Sequence, residues 1–574
     1  MTRTIGALWR KASARNPERT AYLAERDGSW VPVSGGEAAR RVDDIANGLL
    51  ALGVEKGDAF AVLAATSVEW CLFDFALGLI GAVGAPIYAN SSPRDCAYVL
   101  EHSESIGVLV EDDEQRAKVD EVRSGLPRLR HVLAFADLPE LEASGRTYAA
   151  AHPGALDEAA ARVGEEDLFT YLYTSGTTGP PKACMIRHRN YYAMAAVLDG
   201  LPGFVEETDL MLLYLPLAHN FGRLMHLDAA YAGFTLAPLR DPLRAGEALV
   251  EVRPTIFPSV PRLFEKAHTA VLARFDEASG PRRRLAEWAL RVGREASRLR
   301  QAGRPLPGSL ARRLRLADRL VFSKVKERFG GRLRIVVSGG APLSPEISEF
   351  FHAFDLLILE GYGLTECTTA CSFNLPGRYR FGTVGPLLPG FEARLDDDGE
   401  LLLRSETVFA GYHRDEEATR AVLDGDGWLR TGDIGSIDED GFLAITDRKK
   451  DILVTAGGKN VAPQNLENEL KGSKYVSQAL VVGDRRPYVA ALVTLDEPEV
   501  AKWREDGGED LQALIQGVVD DVNAQHSRFE QIKRFAILSR DFSADEGEVT
   551  PTLKLRRRIV QEHFADEIDR LYSG

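Results

Sequence analysis

Residues 168–182 read Leu-Phe-Thr-Tyr-Leu-Tyr-Thr-Ser-Gly-Thr-Thr-Gly-Pro-Pro-Lys. The apolar residues 168–173 predict a buried strand, and a helix is predicted around residues 190–198. The hydroxyl side chains and glycines between these elements can donate many hydrogen bonds to phosphate oxygens, and Lys182 adds a positive charge. Because the G-x-x-x-x-G-K-[ST] spacing of a Walker A loop is absent, the stretch predicts a phosphate-binding loop of another kind.

The composition is that of a soluble globular protein of several domains. The chain has 574 residues, of which 45% are hydrophobic and 27% are charged, and these values argue against disorder, a collagen-like rod and a small disulfide scaffold. At about 100–200 residues per domain, two to four domains are expected. The net charge of −15 disfavours nucleic acid as a partner.

The five cysteines, an odd and sparse set, suit a reducing cytoplasm better than secretion. Cys367 and Cys371 have no histidine nearby, so a zinc site is not expected and all five thiols are interpreted as packing residues. The N-terminus lacks the apolar run of a signal peptide. Asp74 interrupts the longest apolar stretch, residues 71–89, which therefore predicts core and not a membrane span.

Helical and strand patterns alternate along the first part of the chain. Residues 38–52 have helical spacing, whereas residues 59–65 and 106–110 are short apolar runs typical of buried strands, so layers of α/β structure with parallel sheets are predicted. Near the C-terminus, residues 475–482 and 488–495 predict two strands and residues 511–522 a helix. This pattern indicates a separate C-terminal domain of about 120 residues.

One internal segment is strongly basic. Residues 282–334 contain 17 Lys and Arg against 4 Asp and Glu, a local charge of +13 on an acidic chain. The segment begins with apolar residues at helical spacing, which predicts an amphipathic helix with a basic outer face. A solvated helical face, attraction of a phosphorylated cofactor and contact with lipid headgroups are all compatible with this charge.

Further motifs follow the loop in a fixed order. They are Leu-Pro-Leu-Ala-His at 215–219, Ser-Gly-Gly-Ala-Pro-Leu at 338–343, Glu-Gly-Tyr-Gly-Leu-Thr-Glu at 360–366, Asp-Gly-Trp-Leu-Arg-Thr-Gly-Asp-Ile-Gly at 426–435, Asp-Arg-Lys-Lys at 447–450 and Thr-Pro-Thr-Leu-Lys-Leu-Arg-Arg at 550–557. The ordered series resembles the adenylate-forming superfamily of acyl-CoA synthetases, firefly luciferase and peptide-synthetase adenylation domains. It is most similar to the bacterial long-chain fatty acyl-CoA synthetases.

The resemblance implies an α/β fold with two domains. Residues 1–449 would form a large N-terminal adenylation domain of two packed α/β sheets plus a distorted β-barrel. Residues 450–574 would form a small, mobile α+β lid that rotates about a hinge at Lys450. The active site is expected in the cleft between the domains.

The resemblance also implies a role for each motif residue. Tyr362 would stack on adenine, Asp433 and Arg448 would bind the ribose, Thr365 would bind the α-phosphate, Glu366 would hold Mg²⁺ and His219 would lie beside the substrate carboxylate. Lys554 would neutralise charge during adenylation, and Gly458 would face the thiol entrance. The nucleotide-binding set comprises Thr174, Ser175, Gly176, Thr177, Thr178, Lys182, Gly340, Ala341, Pro342, Glu360, Tyr362, Asp433 and Arg448.

The expected reaction uses ATP, Mg²⁺ and CoA to convert a medium- to long-chain fatty acid, through an acyl-adenylate, into acyl-CoA, with release of AMP and pyrophosphate. One alternative is a fatty-acyl-AMP ligase that hands the acyl group to a carrier protein. Another is a non-catalytic homologue that binds nucleotide or lipid. The expected location is cytoplasmic. Peripheral contact at the inner face of a membrane through residues 282–334 is left open, and so is a homodimer.

Overall fold

A computed structural model describes residues 2–174, 180–277, 279–543, 546–550 and 555–573. The strands are β1 Thr20–Arg26, β2 Ser29–Ser34, β3 Ala59–Leu63, β4 Val83–Ile87, β5 Gly107–Val110, β6 His131–Ala134, β7 Leu168–Thr174, β8 Lys182–Arg187, β9 Leu210–Leu213, β10 Thr235–Pro238, β11 Ile256–Ser259, β12 Ile335–Ser338, β13 Ile358–Tyr362, β14 Ser372–Phe373, β15 Glu392–Leu395, β16 Glu400–Arg404, β17 Leu429–Ile437, β18 Leu443–Arg448, β19 Leu453–Val454, β20 Asn460–Val461, β21 Val476–Val482, β22 Val489–Leu495 and β23 Ile532–Ile537.

The α-helices are α1 Ile5–Arg15, α2 Gly35–Ala51, α3 Val68–Ile80, α4 Pro93–His102, α5 Asp113–Val122, α6 Leu138–Ala151, α7 Ala155–Ala161, α8 His188–Asp199, α9 Asn220–Ala232, α10 Ala245–Val252, α11 Pro261–Glu277, α12 Gly280–Gln301, α13 Gly308–Ala317, α14 Ser323–Arg328, α15 Pro345–Ala353, α16 Glu416–Val422, α17 Pro463–Lys471, α18 Glu497–Glu505, α19 Leu511–Asn523, α20 Arg557–His563 and α21 Ala565–Tyr572. A π-helical turn, Asp318–Phe322, joins α13 to α14.

Two sheets of mainly parallel strands form the large N-terminal part of the molecule. The first has the order β6-β5-β3-β4-β7-β8, and the second has the order β14-β13-β12-β11-β9-β10-β1-β2. Every residue of β3, β4 and β5 is buried, as expected for parallel strands covered on both faces. A common apolar core joins the sheets, with Phe60 and Phe169 from the first and Phe257 from the second.

The remaining strands form smaller sheets. Strands β15-β16-β17-β18 make an antiparallel sheet in the region where the sequence predicts a distorted barrel. After it, β21-β22-β23 make a three-stranded sheet covered by α17 and α19 on one side and by α20 and α21 on the other, with separate apolar clusters on its two faces. These residues supply the smaller α+β region that the sequence predicts.

Most of the predicted elements are present, but one strand near the loop was missed. The helix predicted at 38–52 is α2, the strand at 59–65 is β3, and the C-terminal strands are β21 and β22. The loop after β7 leads into strand β8 and not directly into the predicted helix, because β8 pairs with β7 in an antiparallel hairpin. The helix predicted around residues 190–198 is α8, and the sequence analysis did not predict the strand between the loop and this helix.

The apolar stretch 71–89 is core, as predicted. It forms most of α3 and all of β4, and the structure buries every residue of β4. Asp74, the polar residue within it, is 2% exposed and pairs with Arg223 of α9, so the charge is compensated inside the fold. No helix in the described ranges is both long enough and apolar enough to cross a membrane. The five cysteines are free and buried, as predicted.

The basic segment begins as the predicted amphipathic helix, α12. Its buried face includes Ala289, Val292 and Ala296, whereas its arginines point outward. Some arginines form ion pairs with acidic neighbours, such as Arg313 with Glu295. The segment continues through α13, the π-helical turn and α14 before the chain enters β12 of the large sheet.

Candidate active site

Two neighbouring parallel strands, β12 and β13, end at the predicted adenine pocket. Their register pairs Ser338 with Glu360, so the turn after β12 lies beside Tyr362 at the end of β13. Gly340 has a φ of +83°, which favours glycine, and a Cβ there would meet no atom within 4 Å, so this side of the turn is open. Ala341 and Pro342 are also exposed. Ligands often bind at the carboxyl ends of parallel strands, where this turn lies.

The side chains predicted to bind adenine and ribose form one cluster. The Tyr362 hydroxyl donates a hydrogen bond to Asp433 Oδ2 at 2.5 Å. The strand register places Asp433 opposite Arg448, and Arg448 Nε lies 3.3 Å from Asp433 Oδ1. Asp433 is 4% exposed. Burial alone would lower the pKa of Arg448, but the nearby negative charge of Asp433 opposes this effect, and the pKa of Arg448 is raised overall. The fold thus brings together three residues from separate motifs.

A second cluster surrounds Glu366, the predicted metal ligand. Glu366 Oε1 accepts a hydrogen bond from the Tyr412 hydroxyl at 2.7 Å. Lys182 Nζ lies 5.0 Å from the centroid of the Tyr412 ring. Glu366 and Tyr412 line a cleft of about 330 Å³, together with Thr431 and Gly432 of β17 and other residues of the same region. Glu366 therefore stands at the cleft and Lys182 lies beside the ring of Tyr412, a combination that suits a magnesium-bound polyphosphate.

The predicted residues His219 and Thr365 lie on segments that contact each other. His219 caps α9, and its Nδ1 accepts a hydrogen bond from the Phe221 N–H at 3.2 Å. The next residue, Asn220, donates from Nδ2 to the Thr365 carbonyl at 3.5 Å and accepts from Thr369 at 3.3 Å. The helix start and the turn that carries Thr365 and Glu366 are thereby joined.

Glu360 lies beneath the turn after β12 and is 6% exposed. Its Oε2 accepts a hydrogen bond from the Leu343 N–H at 3.2 Å, which holds the turn against β13. Burial raises the pKa of Glu360 from the ordinary 4.5 to about 7, although the Leu343 N–H opposes the shift. The nucleotide-binding role of Glu360 stays a prediction, and its observed contact is to the backbone of the pocket.

This shift makes the stability of the fold depend on pH. The pKa of Glu360 is higher in the folded state than in the unfolded state. Its contribution to the free energy of unfolding is therefore fully present below about pH 4.5 and is lost as the pH rises through 7. Glu360→Gln, which does not titrate, should remove up to about 3 kcal/mol of pH dependence from the free energy of unfolding. Urea unfolding at pH 5 and pH 8 measures it. Glu349→Gln, an exposed site on α15, is the control, and equal pH dependence in wild type and Glu360→Gln would contradict the prediction.

Ion pairs hold the residue before the predicted hinge Lys450, and a hydrogen bond connects the two sides of the hinge. Lys449 Nζ lies 2.9 Å from Glu400 Oε2 and 2.5 Å from Asp398, which fixes it to the sheet of β16. Asp447 accepts a hydrogen bond from the Gln464 N–H at 3.0 Å, which links β18 to α17 beyond the hinge. Burial raises the pKa of Asp447 to about 6. Lys450 itself is exposed.

Several predicted residues lie apart from these clusters or outside the described residues. Gly458 is exposed on the turn between β19 and β20, where its N–H donates to the Thr455 carbonyl at 2.8 Å. Thr174 and Lys182 are paired across the β7–β8 hairpin, next to the loop. Ser175, Gly176, Thr177, Thr178 and Lys554 are outside the described residues.

The segments on either side of Lys554 are well anchored. Before it, Glu548 accepts two hydrogen bonds from Arg540 at 2.7 Å each, and these bonds are the main cause of its pKa of about 2. After it, Arg557 donates two hydrogen bonds to Glu467 of α17, at 2.7 and 2.6 Å. An isolated bridge between Val549 and Leu555 brings the two segments together.

The sequence analysis missed some residues of this region. Tyr412 and Asn220 join motif residues to one another, and Glu400 binds both Lys449 and Arg430. Tyr412 follows a glycine after an apolar run, and Asn220 follows the predicted His219 directly. Neither position carried a signal of its own, because the contacts that matter join parts of the chain far apart in sequence.

Two family models match most of this chain. A family model described as AMP-binding enzyme matches residues 9–413, and a model described as AMP-binding enzyme C-terminal domain matches residues 450–574. The chain belongs to the AMP-binding enzyme family. The predicted membership of the adenylate-forming superfamily is thereby confirmed.

Curated relatives of this AMP-binding enzyme match nearly its full length. It is 37% identical to the long-chain-fatty-acid–CoA ligase FadD15 of Mycobacterium bovis, over 97% of this chain and 95% of the relative. It is 32% identical to the peroxisomal long chain acyl-CoA synthetase 7 of Arabidopsis thaliana, over 95% of this chain and 82% of the relative.

Solved structures share the fold of this AMP-binding enzyme. The adenylation domain of a carboxylate reductase from Mycobacterium chelonae is 24% identical with a TM-score of 0.78, covering 100% of this chain and 91% of that one. The anthranilate CoA ligase AuaEII in complex with anthranoyl-AMP is 21% identical with a TM-score of 0.75, covering 98% of this chain and 97% of that one. The predicted α/β fold class is confirmed by these likenesses.

Proposed function

We propose that the cleft around Glu366 and Asp433 activates the carboxylate of a medium- to long-chain fatty acid with ATP and that the acyl group passes to CoA. The prediction of an AMP-forming fatty acid–CoA ligase agrees with the long-chain-fatty-acid–CoA ligases among the curated relatives, and neither alternative is favoured. The single observation that carries the proposal is the meeting of Tyr362, Asp433 and Arg448 beside the Glu366 cleft.

The adenosine part of ATP is assigned to the first cluster. The open turn at Gly340–Pro342 accepts a planar ring, and Tyr362 provides an aromatic face next to it. Asp433 can accept hydrogen bonds from both ribose hydroxyls, and Arg448 can donate to the same sugar. Their mutual contacts hold these side chains in place before the nucleotide arrives, which reduces the entropy that binding costs.

The phosphates of ATP are assigned to the second cluster. The hydroxyls and backbone N–H groups of residues 174–178, with Lys182, would bind them, and Thr365 would bind the α-phosphate. Glu366 offers a carboxylate at the wall of the cleft, the hard oxygen donor that Mg²⁺ prefers, so the residues present fit this ion. When bound, Mg²⁺ neutralises phosphate charge, and His219 is assigned to the side of the substrate carboxylate.

The two half-reactions require different groups at the cleft. Carboxylate attack on the α-phosphorus forms an acyl-adenylate and releases pyrophosphate, and a thiol then displaces AMP. Positioning and charge neutralisation dominate the first step, and Lys554 is assigned to it. Residues 450–574 are proposed as a lid that turns about Lys450 so that Gly458 faces the thiol in the second step.

Product analysis tests the proposed function directly. The protein, MgATP and a series of carboxylic acids are incubated with and without CoA, and the products are identified by mass spectrometry. Acyl-CoA and AMP that form only when CoA is present are expected, with the highest yield for a medium- or long-chain acid. Acyl-AMP that accumulates despite CoA would instead support transfer to a carrier protein, and bound ATP with no product would support a non-catalytic homologue.

Exposed leucines on the basic segment support the prediction of membrane contact. Leu316 is 49% exposed and Leu320 is 39% exposed, one turn apart on the basic segment. Arg312, Arg315 and Arg319 are exposed on the same stretch. Apolar side chains between arginines fit the interface of an anionic membrane, so we propose peripheral contact there. Co-sedimentation with anionic but not with neutral vesicles is expected, and equal binding to both would contradict it.

The homodimer that the sequence leaves open stays a prediction. The cytoplasmic location stays a prediction.

A further inference from the structure

The backbone around Tyr412 is fixed between two elements of the candidate site. The Phe409 N–H donates to the Glu366 carbonyl at 2.9 Å, and the Met185 N–H donates to the Gly411 carbonyl at 2.9 Å. An isolated β-bridge joins Tyr412 to Cys184 of β8. The segment 409–412 therefore connects the turn that carries Glu366 with the strand that begins at Lys182.

The side chain of Tyr412 contacts a functional group on each of these elements. Its hydroxyl donates to Glu366 Oε1 at 2.7 Å, and Lys182 Nζ lies 5.0 Å from its ring centroid. The residue is 8% exposed, so both contacts lie largely out of solvent. Asp415 Oδ2 is 4.0 Å from Lys182 Nζ on the other side.

The two contacts have different physical consequences. The hydrogen bond to one carboxylate oxygen restricts rotation of the Glu366 side chain and so fixes the orientation of its carboxylate at the cleft. A cation–π contact holds the lysine against the ring without neutralising its charge. The ring and Asp415, whose Oδ2 lies 4.0 Å away, together restrain the position of Lys182.

We propose that Tyr412 is a positioning residue that holds Glu366 and Lys182 in register for the magnesium-bound pyrophosphate portion of ATP. The inference rests on the proposed adenylation activity and deepens it, because it names the residue that couples the carboxylate to the lysine. Tyr412 acts through these two side chains and takes no part in bond making. The half-reaction with CoA, in which no pyrophosphate is present, does not depend on it.

Tyr412→Phe tests the hydrogen bond while it keeps the ring beneath Lys182. Calorimetric titration of the protein with ATP, in the presence and absence of Mg²⁺, should show that the variant binds MgATP about 10-fold more weakly, whereas its affinity for metal-free ATP is unchanged. In acid-dependent exchange of pyrophosphate into ATP, the KM for MgATP should rise by a similar factor. Thioester formation from synthetic acyl-adenylate and CoA should match wild type.

A matched control separates this effect from the general loss of a tyrosine hydroxyl. Tyr379→Phe removes a hydroxyl that lies 3.1 Å from His352 Nε2, away from the Glu366 cleft, and it should leave MgATP affinity unchanged. Tyr412→Leu also removes the ring, and it should weaken binding of metal-free ATP as well, because Lys182 loses its contact with the ring. If Tyr412→Leu does not fold, the comparison of Tyr412→Phe with Tyr379→Phe still decides the result.

The outcomes distinguish this inference from the proposed function. If wild type exchanges pyrophosphate and Tyr412→Phe binds MgATP as wild type does, the positioning role is wrong and the adenylation proposal stands. If Tyr412→Phe weakens ATP equally with and without Mg²⁺, its effect is not exerted through Glu366, and the inference is likewise overturned. If wild type neither exchanges pyrophosphate nor forms acyl-adenylate, the proposed function fails first.

Discussion

Lys554→Ala should slow acyl-adenylate formation by about 10²–10³ and leave thioester formation from synthetic acyl-adenylate and CoA unchanged. The reason is that a positioned ammonium stabilises charge that develops at phosphorus only in the first half-reaction. Lys554 is outside the described residues, but anchored segments flank it: Glu548 is held by Arg540 on one side and Arg557 by Glu467 on the other. We therefore expect the loss to be confined to the chemistry of the lysine.

The two half-reactions are measured separately, by single-turnover formation of acyl-adenylate and by release of AMP from the synthetic intermediate. Lys533→Ala is the control, because this exposed lysine lies in the same C-terminal region and its Nζ contacts only Gln531 among the hydrogen bonds described. It should leave both rates unchanged. Equal losses in the two half-reactions of Lys554→Ala would contradict the assigned role.

Arg223→Met should lower the free energy of unfolding by about 3–5 kcal/mol, because it leaves Asp74 buried without its counter-charge. Arg223 is 1% exposed and Asp74 is 2% exposed, and they form an ion pair between α9 and α3. Arg223 also donates to Thr170 Oγ1 at 3.0 Å and lies 4.8 Å from the Phe169 ring centroid, so it joins both helices to β7. The shift of the urea unfolding midpoint measures the loss.

Arg283→Met provides the comparison for a surface pair. Arg283 Nε lies 3.0 Å from Glu287 Oε1, and the two side chains are 58% and 51% exposed, so removal of Arg283 should cost at most about 1 kcal/mol. The double variant Asp74→Leu/Arg223→Met should recover much of the stability, because no unpaired charge then remains buried. A loss from Arg223→Met no larger than that from Arg283→Met would refute the prediction.

The sequence predicts those parts of the fold that depend on local pattern. Strand β3 is a short apolar run and α2 has clear helical spacing, and both form where the pattern indicates. Strand β8 was missed because its few residues follow a proline-rich turn and become a strand only by pairing with β7. The order of the sheets depends on long-range pairing, which no local pattern contains.

In the candidate site, too, the sequence predicts some contacts but not those that depend on tertiary packing. Asp433 and Arg448 were assigned to one sugar from the motif order, and the β17–β18 hairpin does pair them. Tyr412 was not predicted, because its hydrogen-bond partner Glu366 and its neighbour Lys182 come from distant motifs that tertiary packing brings together. Glu360 accepts a hydrogen bond from the turn after β12, and this contact likewise depends on how β12 and β13 align.

The ion pairs of Lys449 with Glu400 and Asp398 have a kinetic consequence. They fix the chain to the four-stranded sheet of β16 immediately before Lys450, so the proposed rotation there begins from a fixed point. If residues 450–574 turn about Lys450 as proposed, they form a tethered segment whose effective concentration at the cleft is roughly millimolar or higher for so short a link. The same segment supplied as a separate chain at micromolar concentration would encounter the cleft far too rarely to replace it.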